Sequence, residues 1–277
     1  MSLSIQTNLP AMLALQNLTA ASDRLQDTQG KLGTGLRVAS AKDNAAIWAI
    51  AQDQRSDVGA LAAVRMGLNR AQSIGDTAMT AGHSVSELLV QMKEKVVAAQ
   101  DRSLTSVSRK ALDADFKQIL KQITQVIRDA SFDGAALLDN SLTPGLSFLS
   151  DQDGGTFISL KNQNMSLGGT IITLTAAANI STYTLATLVL TKLNKSIDNV
   201  SLALAEMGAE VKQIQNHNTF VGKLSDSLEG GIGNLVDADL AKESARLQAL
   251  QVQQQLGAQA LSIANQSPQI ILSLFRN

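Results

Sequence analysis

Apolar residues recur along this chain in alternating steps of three and four, the repeat of helices that pack along a seam. The clearest run is Leu61, Val64, Leu68, Ala71, Gly75, Ala78, Gly82, Val85, Leu89, Met92, Val96 and Ala99, a heptad without a slip. It predicts a helix over about 45–100, roughly 80 Å long at ~1.5 Å per residue. Glycines inside that seam imply close helix approach, each at a cost in helix propensity. Leu112, Phe116, Ile119, Ile123, Val126 and Ala130 continue the pattern after a polar turn, so a shorter helix should return antiparallel. A third run, from Leu193 through Val200, Met207, Val211, Ile214 and Val221 to Leu228, predicts the long partner helix.

The ends repeat the pattern on a smaller scale. Asn8 is the expected N-cap of a first helix, with Pro10 tolerated in its first turn. Ala11, Ala14, Leu18, Ala21, Leu25, Thr28 and Leu32 form its seam, and Gly30, Gly33 and Gly35 are expected to stop it. At the other end Gly230, Gly231 and Gly233 should close the long return helix, with a tail helix beginning after Leu235. From Leu247 to Phe275 the tail carries no charged residue, but eight glutamines and Gly257 make a transmembrane helix the wrong reading. Ala245, Ala249, Val252, Leu256, Gln259 and Ile263 keep seam spacing, while Leu240, Leu247, Leu250 and Leu261 form a second row. A helix apolar on two faces needs more neighbours than one chain supplies. The second row is the one expected to be covered by other copies of the chain.

Between the long helices the composition shifts toward Thr, Ser and Gly. Residues 146–149 and 156–160, around Ser150–Gly155, predict a β-hairpin, and TIITLTA and TYTLATL are read as further short strands. The fold class is therefore mainly α: a long antiparallel coiled-coil bundle with a small β-hairpin insertion and paired terminal helices. The divisions are an N-terminal helix with the segment that follows it (1–43), two halves of the coiled-coil region (44–139 and 188–231), an exposed insertion (140–187) and a C-terminal helix (232–277).

Composition removes several function classes. Aromatics are 3% of the chain, which suits thin helical seams better than a thick core. A net charge of −1 without strong runs argues against nucleic acid and against anionic membrane. With no cysteine, disulfides, thiol catalysis and cysteine-bound metals are excluded. The first residues lack a basic stretch and a cleavage site, so a secretory signal peptide is not expected. His83 and His217, one on each long helix, are read as helix-surface residues rather than a metal or catalytic pair. Asp151-Gln152-Asp153-Gly154-Gly155 opens like a calcium loop but lacks the later glutamate, and reads as a hairpin turn. Gly33-Thr34-Gly35 has neither a third glycine nor a preceding strand, so it is no phosphate cradle. No catalytic set and no cofactor site emerges, and an enzyme is not expected.

Four stretches carry a family resemblance. Leu36-Arg37-Val38-Ala39-Ser40-Ala41-Lys42-Asp43-Asn44-Ala45-Ala46 resembles the N-terminal spoke motif of bacterial flagellins. Ser131-Phe132-Asp133-Gly134-Ala135-Ala136-Leu137-Leu138 resembles their Phe-Asn-Gly turn followed by paired leucines, and Asp237–Glu243 and Ala264–Leu274 resemble their C-terminal signature. Trp48 and the short middle resemble the short flagellins of alphaproteobacteria. Asn44, in place of a second Asp, and Lys93 and Lys95, in place of an Arg-Glu-Leu pattern, depart from many relatives, and the lysines put recognition by vertebrate flagellin receptors in doubt.

The resemblance implies a structural subunit, exported unfolded and polymerised into the extracellular flagellar filament that drives swimming. It implies other copies, other flagellins, filament cap and hook-junction proteins, and an export chaperone on the C-terminal tail as partners. Self-assembly would fall to Leu18, Leu25, Leu32, Arg37, Asp43, Leu240, Leu247, Leu250, Leu256, Leu261 and Ile263. O-glycosylation, common on exposed hydroxyls of related flagellins, would fall among Thr143, Ser166, Thr170, Thr173, Thr175, Ser181 and Thr182. The alternatives are a hook–filament junction protein, which usually carries a longer insertion, and a surface-exposed polysaccharide binder, against which the scarcity of stacking aromatics counts. On energetic grounds both terminal segments are expected to be largely disordered in the free chain and helical only on assembly.

Overall fold

The computed structural model describes the backbone of residues 7–274 and the side chains of residues 7–266. Residues 1–6 and 275–277, and the side chains of the signature over 267–274, lie outside the described residues. Five helices account for most of the chain: α1 Leu9–Thr34, α2 Ala45–Ala99, α3 Ser106–Asp129, α4 Tyr183–Val236 and α5 Leu240–Leu274. Two small hairpins, β1 Ser131–Phe132 with β2 Ala135–Ala136 and β3 Gly145–Leu149 with β4 Phe157–Lys161, separate α3 from α4. The contacts divide the chain into two compact units, residues 57–226 and residues 1–56 with 227–277.

In the 57–226 unit the predicted seam of α2 is buried along its length, and Ile74 joins it. Gly75 and Gly82 explain why glycine stands there. A Cβ on Gly75 would collide with Val211 of α4, and one on Gly82 would lie 2.6 Å from Leu204. Both notches and both knobs are one heptad apart, so the two helices lock antiparallel in one register. Gln100 donating to Ala186 O at 3.3 Å fixes the far end of the same pairing. Thr105 caps α3 by accepting from Ser108 N, and Lys95–Asp115 at 3.4 Å and Arg109 Nε to Ala99 O at 3.0 Å hold it antiparallel to α2.

The middle of the chain differs from the expectation of an outlying β-rich insertion. The β3–β4 hairpin forms as predicted, but TIITLTA contains no strand and TYTLATL opens α4, with Thr182 accepting from Leu185 N. Ile158, Leu160, Met165, Ile172, Leu174 and Ile180 are buried, so the segment lies against the helical seam as a strap. Polar groups on one face of α4 hold it. Ser196 Oγ accepts from Thr173 N, Asn199 donates to Thr170 O and Ile171 O, Glu206 accepts from Gln163, and His217 Nε2 meets Ser150 O at 2.7 Å. Periodicity located α4 but could not show that a segment without periodicity completes its core.

In the other unit α1 and α5 pair antiparallel: Asn8 Nδ2 donates to Ala264 O at 2.9 Å, and Leu18 lies 3.3 Å from where a Gly257 Cβ would stand. Leu9–Thr34 and Leu240–Leu274 are thus helical here, the state expected of both ends on assembly. Asn8 caps α1 as predicted, but α1 runs through Gly30 and Gly33 and ends only at Gly35, whose φ of 71° is open to glycine. Similarly α4 continues through Gly230, Gly231 and Gly233 to Val236, carried by buried Ile232 and Val236 at about 1 kcal/mol of propensity per glycine. Asp239 then caps α5 by accepting from Ala241 N and Lys242 N.

Candidate assembly surface

The faces of α5 are reversed from expectation. Leu250 is buried and Leu247, Gln254, Gly257, Leu261 and Ala264 are half-buried, so the second row, not the seam-spaced row, faces α1. Both rows keep helical spacing, so sequence cannot say which one the chain itself covers. The observed choice sets Leu247, Leu250 and Leu261 on the face of α1 where Ala21 and Thr28 are buried. The seam-spaced row is left open, with Val252 at 55%, Leu256 at 59% and Ile263 at 70% exposure.

Helix α1 shows the same division. Leu18, Leu25 and Leu32 are half-buried on the face of Ala21 and Thr28, while Leu9, Met12, Leu13 and Leu15 stand exposed. A shallow groove of about 490 Å³ runs along this outer side, lined by Met12, Leu15, Gln16, Thr19, Ala20 and Asp23. A second, of about 520 Å³, lies between α1 and α5 along Leu18, Thr19, Ser22, Asp23, Gln254, Gln255 and Ala258. No charged side chain precedes Asp23, and none follows Arg246 until Arg276. Residues 9–22 and 247–266 therefore present an apolar and amide-rich exterior without charge, bordered by Asp23.

The two polar self-assembly candidates have local roles. Arg37 Nη2 donates to Leu235 O at 2.7 Å, beside the bridge of Leu36 with Asp237, tying the segment after α1 to the segment before α5. Asp43 accepts from Ser40 N at 2.9 Å, Ala39 N at 3.0 Å and Ser40 Oγ at 3.2 Å. Those bonds, the one from Ser40 N first, lower its pKa below the usual aspartate value. Leu240 is exposed at the start of α5. Sequence reasoning missed Glu243, whose carboxylate is largely buried, with Oε2 unpartnered and Oε1 3.9 Å from Arg246.

Candidate modification sites separate by exposure. Thr143, Thr170, Thr175 and Thr182 are exposed, and Ser166 and Ser181 are half-buried. Thr173 is tied to Lys192 O and Ser196. His83 is exposed, and His217 clasps the strap. Asp151 accepts from Gly155 N and Thr156 Oγ1 within the hairpin loop. Among the described residues no group of three His, Asp or Glu side chains is placed to hold a metal, and no helix is long and apolar enough to cross a membrane.

Comparison with known proteins agrees with this architecture. The family model for the bacterial flagellin N-terminal helical region matches residues 5–143, and that for the C-terminal helical region matches residues 190–275. Flagellin FljJ of Caulobacter vibrioides is 53% identical, over 100% of this chain and 99% of its own. A flagellin of Brucella melitensis is 37% identical, over 99% of both chains. Among solved structures, Bacillus cereus flagellin aligns with a TM-score of 0.50 at 19% identity, over 56% of this chain and 88% of its own. A Vibrio parahaemolyticus chain described as a flagellar hook-associated protein aligns at 0.57 and 14% identity, over 70% of this chain and 100% of its own. At such identities these structures speak to the fold alone, and the full-length sequence relatives decide between them. The chain belongs to the bacterial flagellin family.

Proposed function

We propose that this chain is a structural subunit of the bacterial flagellar filament and works by polymerising with copies of itself and with other flagellins. The observation that carries the reading is the unpartnered exterior of the α1–α5 pair over residues 9–22 and 247–266, which carry no charged side chain. Exposed Leu and Ile side chains spaced along a helix lose about 1.5–3 kcal/mol each while they remain in water. Copies of the chain recover that by covering one another, and residues 9–22 and 247–266 bring no side-chain charge to be desolvated. Flagellins are structural proteins, not an enzyme family, and catalysis has no part in this mechanism.

Within it, Leu18, Leu25, Leu32, Leu247, Leu250 and Leu261 hold α1 on α5. Leu240, Leu256 and Ile263 form the face offered to neighbours, and Arg37 and Asp43 shape the connecting segments. The subunit leaves the cell through an export channel, with a chaperone masking the α5 tail beforehand, and meets hook-junction and cap proteins at the growing filament. The exposed hydroxyls of Thr143, Thr170, Thr175 and Thr182, with Ser166 and Ser181, remain the places proposed for O-glycosylation. Thr173 is the least accessible candidate.

Electron microscopy of concentrated full-length protein tests the reading. Filaments are expected from the intact chain and none from one cut after Arg246. A monodisperse full-length protein under polymerising conditions would overturn it.

A further inference from the structure

Strands β3 and β4 form a two-stranded sheet, so each has one edge with no strand beside it. The register sets Gly145 opposite Lys161, Ser147 opposite Ser159 and Leu149 opposite Phe157. Two backbone bonds bracket this ladder, Asn162 N to Pro144 O at 3.1 Å and Ser150 N to Thr156 O at 3.0 Å. Bonded and non-bonded pairs alternate in an antiparallel ladder, so the inward bonds fall on Leu146/Leu160 and Phe148/Ile158. The peptide groups of Gly145, Ser147 and Leu149 then point away from β4, and those of Phe157, Ser159 and Lys161 point away from β3.

The two edges are not equivalent. On β4, Lys161 N donates to the Glu210 carboxylate at 3.0 Å, and the Lys161 ammonium stands 3.9 Å from the same group. That edge is occupied and charged. On β3, no described residue bonds to the outward groups of Gly145, Ser147 or Leu149, and Ser147 is exposed. The strand Gly-Leu-Ser-Phe-Leu also lacks the charge, internal proline or bulge that keeps a free edge from pairing.

We propose that the β3 edge is a pairing site for β3 of a second copy, antiparallel and centred on Ser147. The outward groups are symmetric about that residue. In this register Ser147 meets Ser147, and Leu149 meets Gly145, whose missing side chain leaves room for it. Each outward N–H finds an outward C=O, and no like charges meet. Such an isologous pair closes on itself, unlike the head-to-tail contacts that build a filament. It therefore stands or falls separately from the filament reading. A five-residue strand pair is smaller than a stable dimer interface, so the contact is weak between free chains. Repeated along a polymer it would tie neighbouring filaments side by side, a second step that does rest on the filament reading.

Because the chain has no cysteine, Ser147→Cys introduces a single thiol. In the proposed register the two Cα atoms form a bonded pair about 5.5 Å apart, within disulfide range. Ser159→Cys, directly across on the same face but on the occupied edge, is the control. With unpolymerised full-length protein and oxidised glutathione, two thiols give up two electrons and two protons to the glutathione disulfide and become one interchain S–S bond. Ser147→Cys should dimerise about tenfold faster than Ser159→Cys, and adding Leu149→Lys, an edge charge, should return it to the control rate. Circular dichroism confirms that each variant is folded. Equal rates in the two single-cysteine proteins, or a Ser147→Cys chain that stays monomeric, would overturn the pairing.

Discussion

Two pairs of antiparallel helices in this chain follow the same sequence rule and reach opposite degrees of closure. In the 57–226 unit, α2 and α4 bury large side chains at nearly every turn, among them Leu61, Leu68, Leu89, Met92, Val200 and Ile214, and the strap adds Leu160, Met165 and Ile172. In the other unit, helices of 26 and 35 residues bury only Ala21, Thr28 and Leu250 against each other, among the described side chains. Ordering a residue costs about 1–2 kcal/mol of backbone entropy, whichever unit it belongs to. The first unit offsets that cost from its own burial. The second leaves Val252, Leu256, Ile263, Leu9, Met12 and Leu13 in water and offsets less of that cost by itself. A heptad repeat therefore marks a helix that packs, without saying whether the partner is in the same chain.

The widest separation between the units should come from truncating matched leucines. Leu89→Ala, at a fully buried seam position, should destabilise the 57–226 unit by about 2–5 kcal/mol in urea unfolding. Leu256→Ala, on the open face of α5, should stay within about 0.5 kcal/mol in the unpolymerised chain. The ranking should invert for assembly, with Leu256→Ala raising the concentration at which filaments form. Equal losses of folding stability would mean that α5 is already buried in the free chain.

Next in size are the notches. Gly75→Ala gains helix propensity, yet its methyl meets Val211, a side chain stiff at χ1. Overpacking of this kind costs about 1–3 kcal/mol, more than the propensity gain. Gly30→Ala, a mid-helix glycine with nothing near its Cβ position, should instead stabilise α1 by up to about 1 kcal/mol. A Gly75→Ala chain that melts above the parent would refute the register lock.

These cases mark how far the chain was legible. The α2 seam, the antiparallel return of α3 and α4, the Asn8 cap and the β3–β4 hairpin follow from spacing and turn chemistry. The helix ends at Gly30 and Gly230 did not, because a glycine inside a helix is a local cost that packing elsewhere can absorb. The strap was misread since its buried residues have no period. For the assembly surface, both apolar rows of α5 were visible, but their assignment depended on which row fits α1. That is a question of shape, and spacing does not encode it.

Hydrogen exchange sharpens the comparison without any substitution. Amides in the α2 seam should open only with global unfolding, while those of residues 247–263 should exchange through local opening of far lower free energy in the unpolymerised chain. Proteolysis should likewise trim both ends to a core near 45–230 that no longer polymerises. Strong protection of 247–263 before assembly would show that the two pairs do not differ in this way.

The smallest expected effect lies in the segment after α1. Asp43 holds Ala39 and Ser40 through its carboxylate, and those bonds lower its pKa below the ordinary aspartate value. A lowered folded-state pKa means that the unfolded chain takes up the proton first as pH falls. The contribution is fully present above the unfolded value, shrinks as pH drops below it, and is lost once pH passes the lower folded value. Between pH 6 and 8 it should be constant, near the upper plateau set by an aspartate pKa of about 4. Asp43→Asn keeps a neutral oxygen that can accept the same bonds more weakly, so its deficit should be small and flat near neutrality. As acid neutralises the parent's carboxylate, the difference should narrow. The Ala39 and Ser40 amides report this directly by exchange against pH, parent beside Asp43→Asn. A gap that widens toward acid would contradict the sign derived for Asp43.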